Sequence, residues 1–186
     1  MPVSSFIRVA AFDGPPNAVE AEFSRMARAG RLLRVRKGIY WKGRRTKLGM
    51  VPPSPEAVAI EVAGRGSGPA GVYAAYRLGL TSQVPGRPAI AVPGKAPADI
   101  PGVRFSVRSW RRRELGLKQD EVALIEVLRD WPSAVEGNWA DLVAAVSLLQ
   151  DSSSIRPEVV ARDVESERHV GLRERWSNLT KDLELT

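Results

Sequence analysis

The sequence predicts an α+β protein in two parts, a small N-terminal unit and a larger mixed α/β domain with a helical C-terminal end. Three observations predict this class. A helical pattern of apolar residues ends at Gly30 and passes into alternating apolar and basic residues. Two short strand-like runs follow between residues 87 and 109. Apolar residues then recur at helical spacing beyond residue 117. The expected domains are residues 1–45 and 46–186, the second mixed to about residue 117 and helical and acidic over 118–186.

The first helix is predicted over residues 18–29. Asn17 is placed to cap it, with Glu20 three residues later in the capping-box position. Four residues recur at helical spacing and form one apolar face: Val19, Phe23, Met26 and Ala27. Gly30 stands where a glycine commonly ends a helix, because it accepts a positive φ.

A two-stranded hairpin is predicted next, in "RLLRVRKGIYWKG". Leu33 and Val35 alternate with Arg34 and Arg36, Lys37 and Gly38 supply the turn, and the return strand continues the alternation. A helix, a glycine and a basic hairpin form the second half of a winged helix-turn-helix, abbreviated here because only "MPVSSFIRVAAFDGPP" precedes the helix. The apolar residues would seat the hairpin on the helix, and the cations would reach the phosphates beside the groove that the helix enters.

The predicted DNA-binding residues are therefore basic, apart from one asparagine. They are Asn17, Arg25, Arg28, Arg31, Arg34, Arg36, Lys37, Lys42, Arg44, Arg45 and Lys47. A basic surface hairpin that serves only solubility is the alternative interpretation.

The rest of the chain is assigned more coarsely. "GRRTKLGMVPPSP" indicates a linker or strand exit, and Ser54 with Pro55 begins a short helix. "RPAIAVPG" and "VRFSVRS" are predicted strands, the second with Val103, Phe105 and Val107 on one face and Arg104 and Arg108 on the other. "WRRRE" after it is either a second phosphate-contact site or a solvated turn. The possible secondary phosphate contacts are Arg104, Arg108, Arg111, Arg112 and Arg113.

Charge is unevenly distributed along the 186 residues. Residues 1–50 carry 11 Lys/Arg and 3 Asp/Glu, a net +8; residues 51–118 carry 10 and 4, a net +6; residues 119–186 carry 7 and 14, a net −7. Such asymmetry indicates two different surfaces, and a polyanion is the natural partner of the basic one.

Several classes of protein are excluded or disfavoured. The chain has no cysteine, so a disulfide framework and a thiolate metal site are impossible. Its single histidine is His169. No apolar run approaches the ~18 residues of a membrane span, and the N-terminus makes a poor signal peptide, so a cytoplasmic protein with no membrane partner is expected. "GRGSGPAG" lacks the Gly-Lys-Ser/Thr of a phosphate-binding loop and is interpreted as a plain loop. Asp163, Glu165 and Glu167 are interpreted as a solvated helix face. No catalytic residue, metal or cofactor is expected.

Three stretches together resemble a known family. "AVEAEFSRMARAGRLLRVRKGIYW", "KLGMVPPSPEAVA" and "YAAYRLGLTSQVPGRPAIAV" resemble the AbiEi-like antitoxins of bacterial type IV toxin–antitoxin systems, including the related DUF6088 proteins. The match covers residues 18 to about 110, and "LGLTSQVP" carries much of it. The resemblance implies a winged-helix domain that binds operator DNA and represses its own operon. It also implies a C-terminal domain that counteracts a nucleotidyltransferase-like toxin.

The expected function is therefore that of a DNA-binding antitoxin and transcriptional autorepressor, not an enzyme. The expected partners are double-stranded operator DNA and a cognate toxin, and the chain is expected to be monomeric in solution. The alternative is a protein–protein interaction module in which a degenerate winged helix docks a partner rather than DNA. A nuclease or nucleotidyltransferase has no assembled site to support it.

Overall fold

The computed structural model describes residues 4–98 and 100–184 and confirms the α+β class. The chain forms two compact units, Met1–Glu61 and Val62–Thr186. The N-terminal unit thus extends past residue 45, where the sequence placed the domain boundary.

The N-terminal unit contains one long helix beside short strands. Its elements are β1 (Ser5–Arg8), a 3₁₀ turn (Val9–Ala11), α1 (Pro16–Arg28), β2 (Leu33–Arg36), β3 (Ile39–Lys42), β4 (Arg45–Thr46) and β5 (Gly49–Met50), with α2 (Pro55–Ala63) following. The first three strands form an antiparallel sheet in the order β1-β3-β2. A helix followed by this sheet is a winged-helix-like arrangement. Strand β1 was not predicted, because its four residues carry no clear alternation.

The start of α1 differs from the prediction. Asn17 is the second residue of the helix rather than its cap, and the cap position is taken by Pro15 without any side-chain hydrogen bond. Proline suits the first helical position because its fixed φ is already helical and it has no N–H to leave unpaired. Pro16 therefore begins the helix two residues earlier than a cap at Asn17 would allow. The predicted end is confirmed, with Gly30 at φ +67° just past the helix.

The core of the N-terminal unit joins α1 to the sheet. It contains Ile7, Val9, Phe23, Leu32 and Tyr40, with Val19, Met26 and Ala27 packed against it. On the return strand, where Ile39 and Trp41 are predicted to alternate with Tyr40 and Lys42, Tyr40 is fully buried and its ring centroid lies 5.4 Å from that of Phe23. Ile39 and Tyr40 are both buried because β3 is the central strand of the sheet, and α1 covers the face that Tyr40 shares with its partner Ile7.

The Tyr40 hydroxyl offers a mild test of this core. It lies 3.1 Å from Ser24 Oγ on α1. Tyr40→Phe keeps the ring packing and removes one partly buried hydrogen bond, so we expect the free energy of unfolding to fall by about 0.5–1.5 kcal/mol. Urea denaturation measures this change, and a loss above about 3 kcal/mol would show that the ring itself had moved.

The segment predicted as a linker or strand exit forms a second hairpin, β4–β5. At the base of this hairpin, Trp41 Nε1 donates a hydrogen bond of 2.9 Å to the Val51 carbonyl. Gly43 is required there, because a Cβ at this position would overlap the Val51 carbonyl and the Trp41 indole. Of the three cations of this segment, Arg45 lies on β4, Arg44 directly precedes it and Lys47 lies in the turn.

The C-terminal unit surrounds one buried helix. Its elements are β6 (Gly68–Ala70), α3 (Val72–Arg77), β7 (Ala89–Pro93), β8 (Arg104–Arg108), α4 (Arg111–Glu114), α5 (Gln119–Asp130), α6 (Trp139–Asp151), α7 (Pro157–Ser166) and α8 (Val170–Glu184). The sheet order is β6-β7-β8, with β6 antiparallel and β8 parallel to β7. Every residue of α5 from 121 to 128 is buried, as expected for a helix covered on all sides. Within residues 4–98 and 100–184, no helix has both the length and the apolar character needed to cross a bilayer.

Candidate nucleic-acid interface

The exposed face of α1 carries polar and small side chains at helical spacing. An open depression of about 530 Å³ runs along it, lined by Asn17, Glu20, Ala21, Ser24, Arg25 and Arg28. Each of these positions has another of the set three or four residues away, which places them on one side of the helix. The opposite side bears the apolar residues that pack on the sheet. The helix therefore presents a continuous polar stripe while its other face is anchored.

The hairpin β2–β3 presents cations beside this helix. Arg34 and Arg36 are exposed on alternate positions of β2, and Leu33 and Val35 between them are half-buried. Lys37 is exposed in the turn, where Gly38 has φ +73°. The predicted hairpin and its turn are thus confirmed.

Three further groups of predicted residues lie nearby in the same unit. Arg31 is exposed in the connection between α1 and β2, while Lys42 at the end of β3 is half-buried. Arg44, Arg45 and Lys47 are exposed on the second hairpin. The Arg45 guanidinium lies close to Gly30, 3.8 Å from where a Cβ would stand. The second hairpin therefore carries a cation to the end of α1.

Two carboxylates pair with the predicted cations. Glu22 Oε2 lies 2.6 Å from Arg25 Nη2 one turn along α1, and Glu20 Oε1 lies 3.5 Å from Arg34 Nη2 on β2. Sequence reasoning had assigned Glu20 to a capping box, which the earlier helix start rules out. It also missed Ala21 and Ser24, although the spacing of residues 17, 21, 24 and 28 would have found them.

The charge of each unit differs from the charge of the sequence segments. Residues 1–61 carry 11 Lys/Arg and 5 Asp/Glu, a net +6, whereas residues 62–186 carry 17 and 16, a net +1. The acidic C-terminal segment and the basic residues before it belong to the same unit and largely neutralise each other. The N-terminal unit holds almost all of the excess positive charge, so it is the natural contact for a polyanion.

A buried ionic cluster explains part of this neutralisation. Arg112 is fully buried and donates to three carboxylates: Glu126 at 2.7 Å, Asp163 at 3.2 Å and Glu167 at 3.2 Å. Arg108 donates two hydrogen bonds to the Glu126 carboxylate, of 2.8 and 2.6 Å. Arg129 Nη2 lies 2.7 Å from Glu167 Oε2. The cluster ties the end of β8 and α4 to α5 and α7.

This cluster corrects the predicted secondary phosphate contacts. Arg112 is out of reach of any phosphate, and all three nitrogens of the Arg108 guanidinium already donate to Glu126 or to the Val107 carbonyl. Arg113 is half-buried, donates to the Ala63 carbonyl and lies over the Trp110 ring, 4.5 Å from its centroid. Arg104 and Arg111 are exposed, and for these two phosphate contact stays a prediction.

The solvated-face interpretation is wrong for Asp163, which is fully buried in the cluster, and for Glu167, whose side chain is 13% exposed and pairs with Arg112 and Arg129. Glu165 is exposed and fits that interpretation. His169 Nδ1 accepts from the Leu172 N–H at 3.0 Å, so its ring caps α8. The buried arginine partner at position 112 lies 51 residues away from Asp163 and could not be paired with it from the sequence.

The carboxylates of the C-terminal unit have displaced pKa values. Burial disfavours the ionised form of Glu126, but hydrogen bonds from Arg108 and the charge of Arg112 outweigh burial and lower its pKa. Burial is likewise outweighed at Glu121, where hydrogen bonds from Arg156 lower the pKa. At Asp163 burial dominates over the attraction of Arg112, and the pKa is raised.

These directions predict the acid stability of the C-terminal unit. Glu121 and Glu126 stay ionised in the folded chain after they protonate in the unfolded one, so stability is lost as pH falls below the ordinary glutamate value of about 4.3. Asp163 acts with the opposite sign. As pH falls toward the ordinary aspartate pKa of about 3.9, the folded chain binds this proton before the unfolded chain does, so the folded chain gains stability over that range. We expect Asp163→Asn to remove this gain and leave the loss below it. Urea denaturation between pH 7 and 3 measures both, and an unchanged profile in Asp163→Asn would contradict the burial of that carboxylate.

The "LGLTSQVP" motif has a structural partner. Glu136 accepts hydrogen bonds from the Ser82 N–H at 2.8 Å, from the Ser82 hydroxyl at 3.0 Å and from the Gln83 amide at 3.0 Å. The Glu136 N–H in turn donates to the Leu80 carbonyl at 3.0 Å. The motif is therefore tied to the loop between α5 and α6.

The fold and this surface define an α+β protein whose winged-helix-like N-terminal unit exposes a basic helix-and-hairpin surface. Residues 3–98 match DUF6088, a family of unknown function, and because the match spans just over half of the chain, the protein belongs to that family. No curated protein matches the sequence. The crystal structure of the RV2827C protein from Mycobacterium tuberculosis is similar at 19% identity and a TM-score of 0.46, covering 97% of this chain and 72% of that one.

Proposed function

We propose that this protein is a DNA-binding antitoxin of the AbiEi-like type, which represses its own operon and counteracts a nucleotidyltransferase-like toxin encoded beside it. The N-terminal unit binds the operator duplex, with the exposed face of α1 in the major groove and the hairpin cations on the flanking phosphates. The protein acts by binding and carries out no catalysis of its own.

The observation that carries the proposal is the joint arrangement of α1 and β2–β3. The polar stripe of α1 combines an asparagine, a serine and two arginines, residue types that hydrogen-bond base edges and phosphates. Arg34, Arg36 and Lys37 are exposed on the hairpin that packs against the same helix. A net charge of +6 on residues 1–61 supplies the long-range attraction.

The first experiment is an electrophoretic shift with the duplex upstream of the gene, in competition with a scrambled duplex of equal length. We expect the upstream duplex to be retained at competitor concentrations that remove the scrambled one, and a reporter driven by it to be repressed. Failure to bind either duplex at 50 mM salt would refute DNA binding, since low salt favours phosphate contacts.

An apolar groove supports the proposed contact with the toxin. It has a volume of about 660 Å³ and lies along the outer face of α6, lined by Ala140, Val143, Ala144 and Leu148 among others. Leu148 is 70% exposed. Asp141 and Asp151 flank this face on α6, and Asp182 of α8 closes its rim. Charge complementarity therefore favours a basic amphipathic helix of the toxin as the occupant, and like-charge repulsion disfavours a second copy of the same face.

Substitution of Leu148 tests this contact. Because Leu148→Glu places a charge in the groove, we expect it to abolish rescue of growth when the protein is co-expressed with the toxin encoded beside it. Val84→Glu is the matched control, because Val84 is 72% exposed in the same unit and is not among the residues that line the groove. Full rescue by Leu148→Glu would remove the groove from the proposal. Truncation near residue 117 is not a usable test, because it deletes the buried helix α5.

The alternative function is a protein-docking module that uses the N-terminal unit without DNA. It is favoured by residues 4–15, where β1 and a 3₁₀ turn lie ahead of α1 and no α-helix is present. The same competition experiment separates the two, since a docking module would not distinguish the upstream duplex from the scrambled one.

A further inference from the structure

One carboxylate lies within the polar stripe of α1. Glu20 lines the depression together with Asn17, Ser24 and Arg28, and its Oε1 lies 3.5 Å from Arg34 Nη2 on β2. Its side chain is 30% exposed and that of Arg34 is 50% exposed. Glu20 thus lies between the helix face and the hairpin, in contact with one of the proposed phosphate-binding cations.

A carboxylate is an unusual group to place against a duplex. Phosphates and most of the acceptor atoms in the major groove, such as guanine O6 and N7, repel it. The pairing available to it is the N4 amino group of cytosine, which donates to glutamate or aspartate. A glutamate on this face therefore weakens binding to most sequences and is compensated only where a cytosine amino group meets it.

The ion pair adds a second effect in the free protein. While Arg34 faces Glu20, its charge is partly neutralised and contributes less to contact with any phosphate. Because both side chains are partly exposed, water screens the pair, and Arg34 can exchange the carboxylate for a phosphate on a matching site.

We infer that Glu20 is a specificity-determining residue of the DNA surface: it restrains Arg34, lowers affinity for duplexes in general, and accepts a hydrogen bond from a cytosine amino group in the preferred site. The inference rests on the proposed DNA binding and identifies what that surface selects. Glu22 does not share this role, because it pairs with Arg25 but does not line the depression.

The test compares Glu20→Gln with the wild-type full chain on the upstream and scrambled duplexes, by fluorescence anisotropy between 50 and 200 mM salt. We expect Glu20→Gln to bind the scrambled duplex more tightly, with a log–log salt slope steeper by roughly 0.9, since one more cation is free to meet a phosphate. The preference for the upstream duplex should fall about 5- to 150-fold, the range for loss of one base contact.

Asp13→Asn is the matched control. Asp13 is exposed ahead of α1 in the same unit, so its replacement changes the net charge by the same amount. We expect it to raise affinity for both duplexes alike and to leave the preference unchanged. If Glu20→Gln behaves like Asp13→Asn, the role of Glu20 is refuted while DNA binding stands. If neither wild type nor Glu20→Gln binds either duplex, both the proposed function and this inference fall.

Discussion

Arg112→Met lowers the free energy of unfolding of the C-terminal unit by about 3–5 kcal/mol, the cost of removing one partner from a buried ion pair. Arg112 is fully buried and contacts three carboxylates, so its loss leaves negative charge in a dry environment. The remaining arginines, Arg108 and Arg129, reach Glu126 and Glu167, while Asp163 loses its hydrogen-bond donor.

Urea denaturation followed by tryptophan fluorescence measures this effect, since four of the five tryptophans lie in residues 62–186. Arg111→Met is the control. It changes the adjacent residue, which is exposed, and should shift stability by no more than about 0.5 kcal/mol. The double variant Arg112→Met/Asp163→Leu should lose less free energy of unfolding than the two single variants lose together. The reason is that Asp163→Leu removes the carboxylate that Arg112→Met leaves unpaired. Equal effects of Arg112→Met and Arg111→Met would contradict the buried cluster.

We expect that replacing Arg34, Arg36 and Lys37 together by alanine flattens the salt dependence of the proposed DNA binding. Each lost phosphate contact lowers the log–log slope by roughly 0.9 on B-DNA, so three contacts lower it by about 2.7. Between 50 and 200 mM salt, the wild-type affinity should therefore fall about 40-fold further than that of the variant. On the scrambled duplex the slope should fall by roughly 0.9 less, because Glu20 holds Arg34 away from its phosphate there, whereas the contacts of Arg36 and Lys37 carry no sequence information.

The control for this triple variant removes three cations from the other unit. Arg87, Lys95 and Arg168 are exposed in residues 62–186, and their replacement by alanine changes the net charge of the chain equally. Fluorescence anisotropy at five salt concentrations should give this control the wild-type slope. If both triple variants lose the same slope, DNA binding depends on net charge alone and the hairpin has no particular role.

The local structure of the N-terminal unit could be predicted because short-range rules govern it. The apolar spacing of α1, the glycine after it and the Lys-Gly turn determine the helix and hairpin almost independently of the rest of the chain. Strand β1 could not be predicted, because it is defined by pairing with β3, about 35 residues later. The burial of Tyr40 likewise depends on the central position of β3, which pairing with β1 creates, and on the packing of α1 over that face.

In the candidate site, too, features set by short-range patterns could be predicted and those set by long-range contacts could not. The cations of the first hairpin follow from local alternation. The stripe of residues 17, 21, 24 and 28 follows from helical spacing and could have been predicted in the same way. The misplaced phosphate contacts at Arg108 and Arg112 arose because basic and acidic segments, which are separate in sequence, fold against each other. Only long-range contacts reveal that such arginines bind carboxylates inside the unit.

The central claim of the proposed function is that the exposed α1 face and its neighbouring hairpins form the surface that meets a duplex. Titration of the ¹⁵N-labelled full chain with the upstream duplex, followed by amide chemical shifts, tests it most directly. We expect the perturbed amides to cluster in residues 16–31 and 34–47, with those of Arg108, Arg112 and Arg113 unaffected. Perturbations centred on residues 104–113 or on α6, or none at a duplex excess in 50 mM salt, would contradict the account.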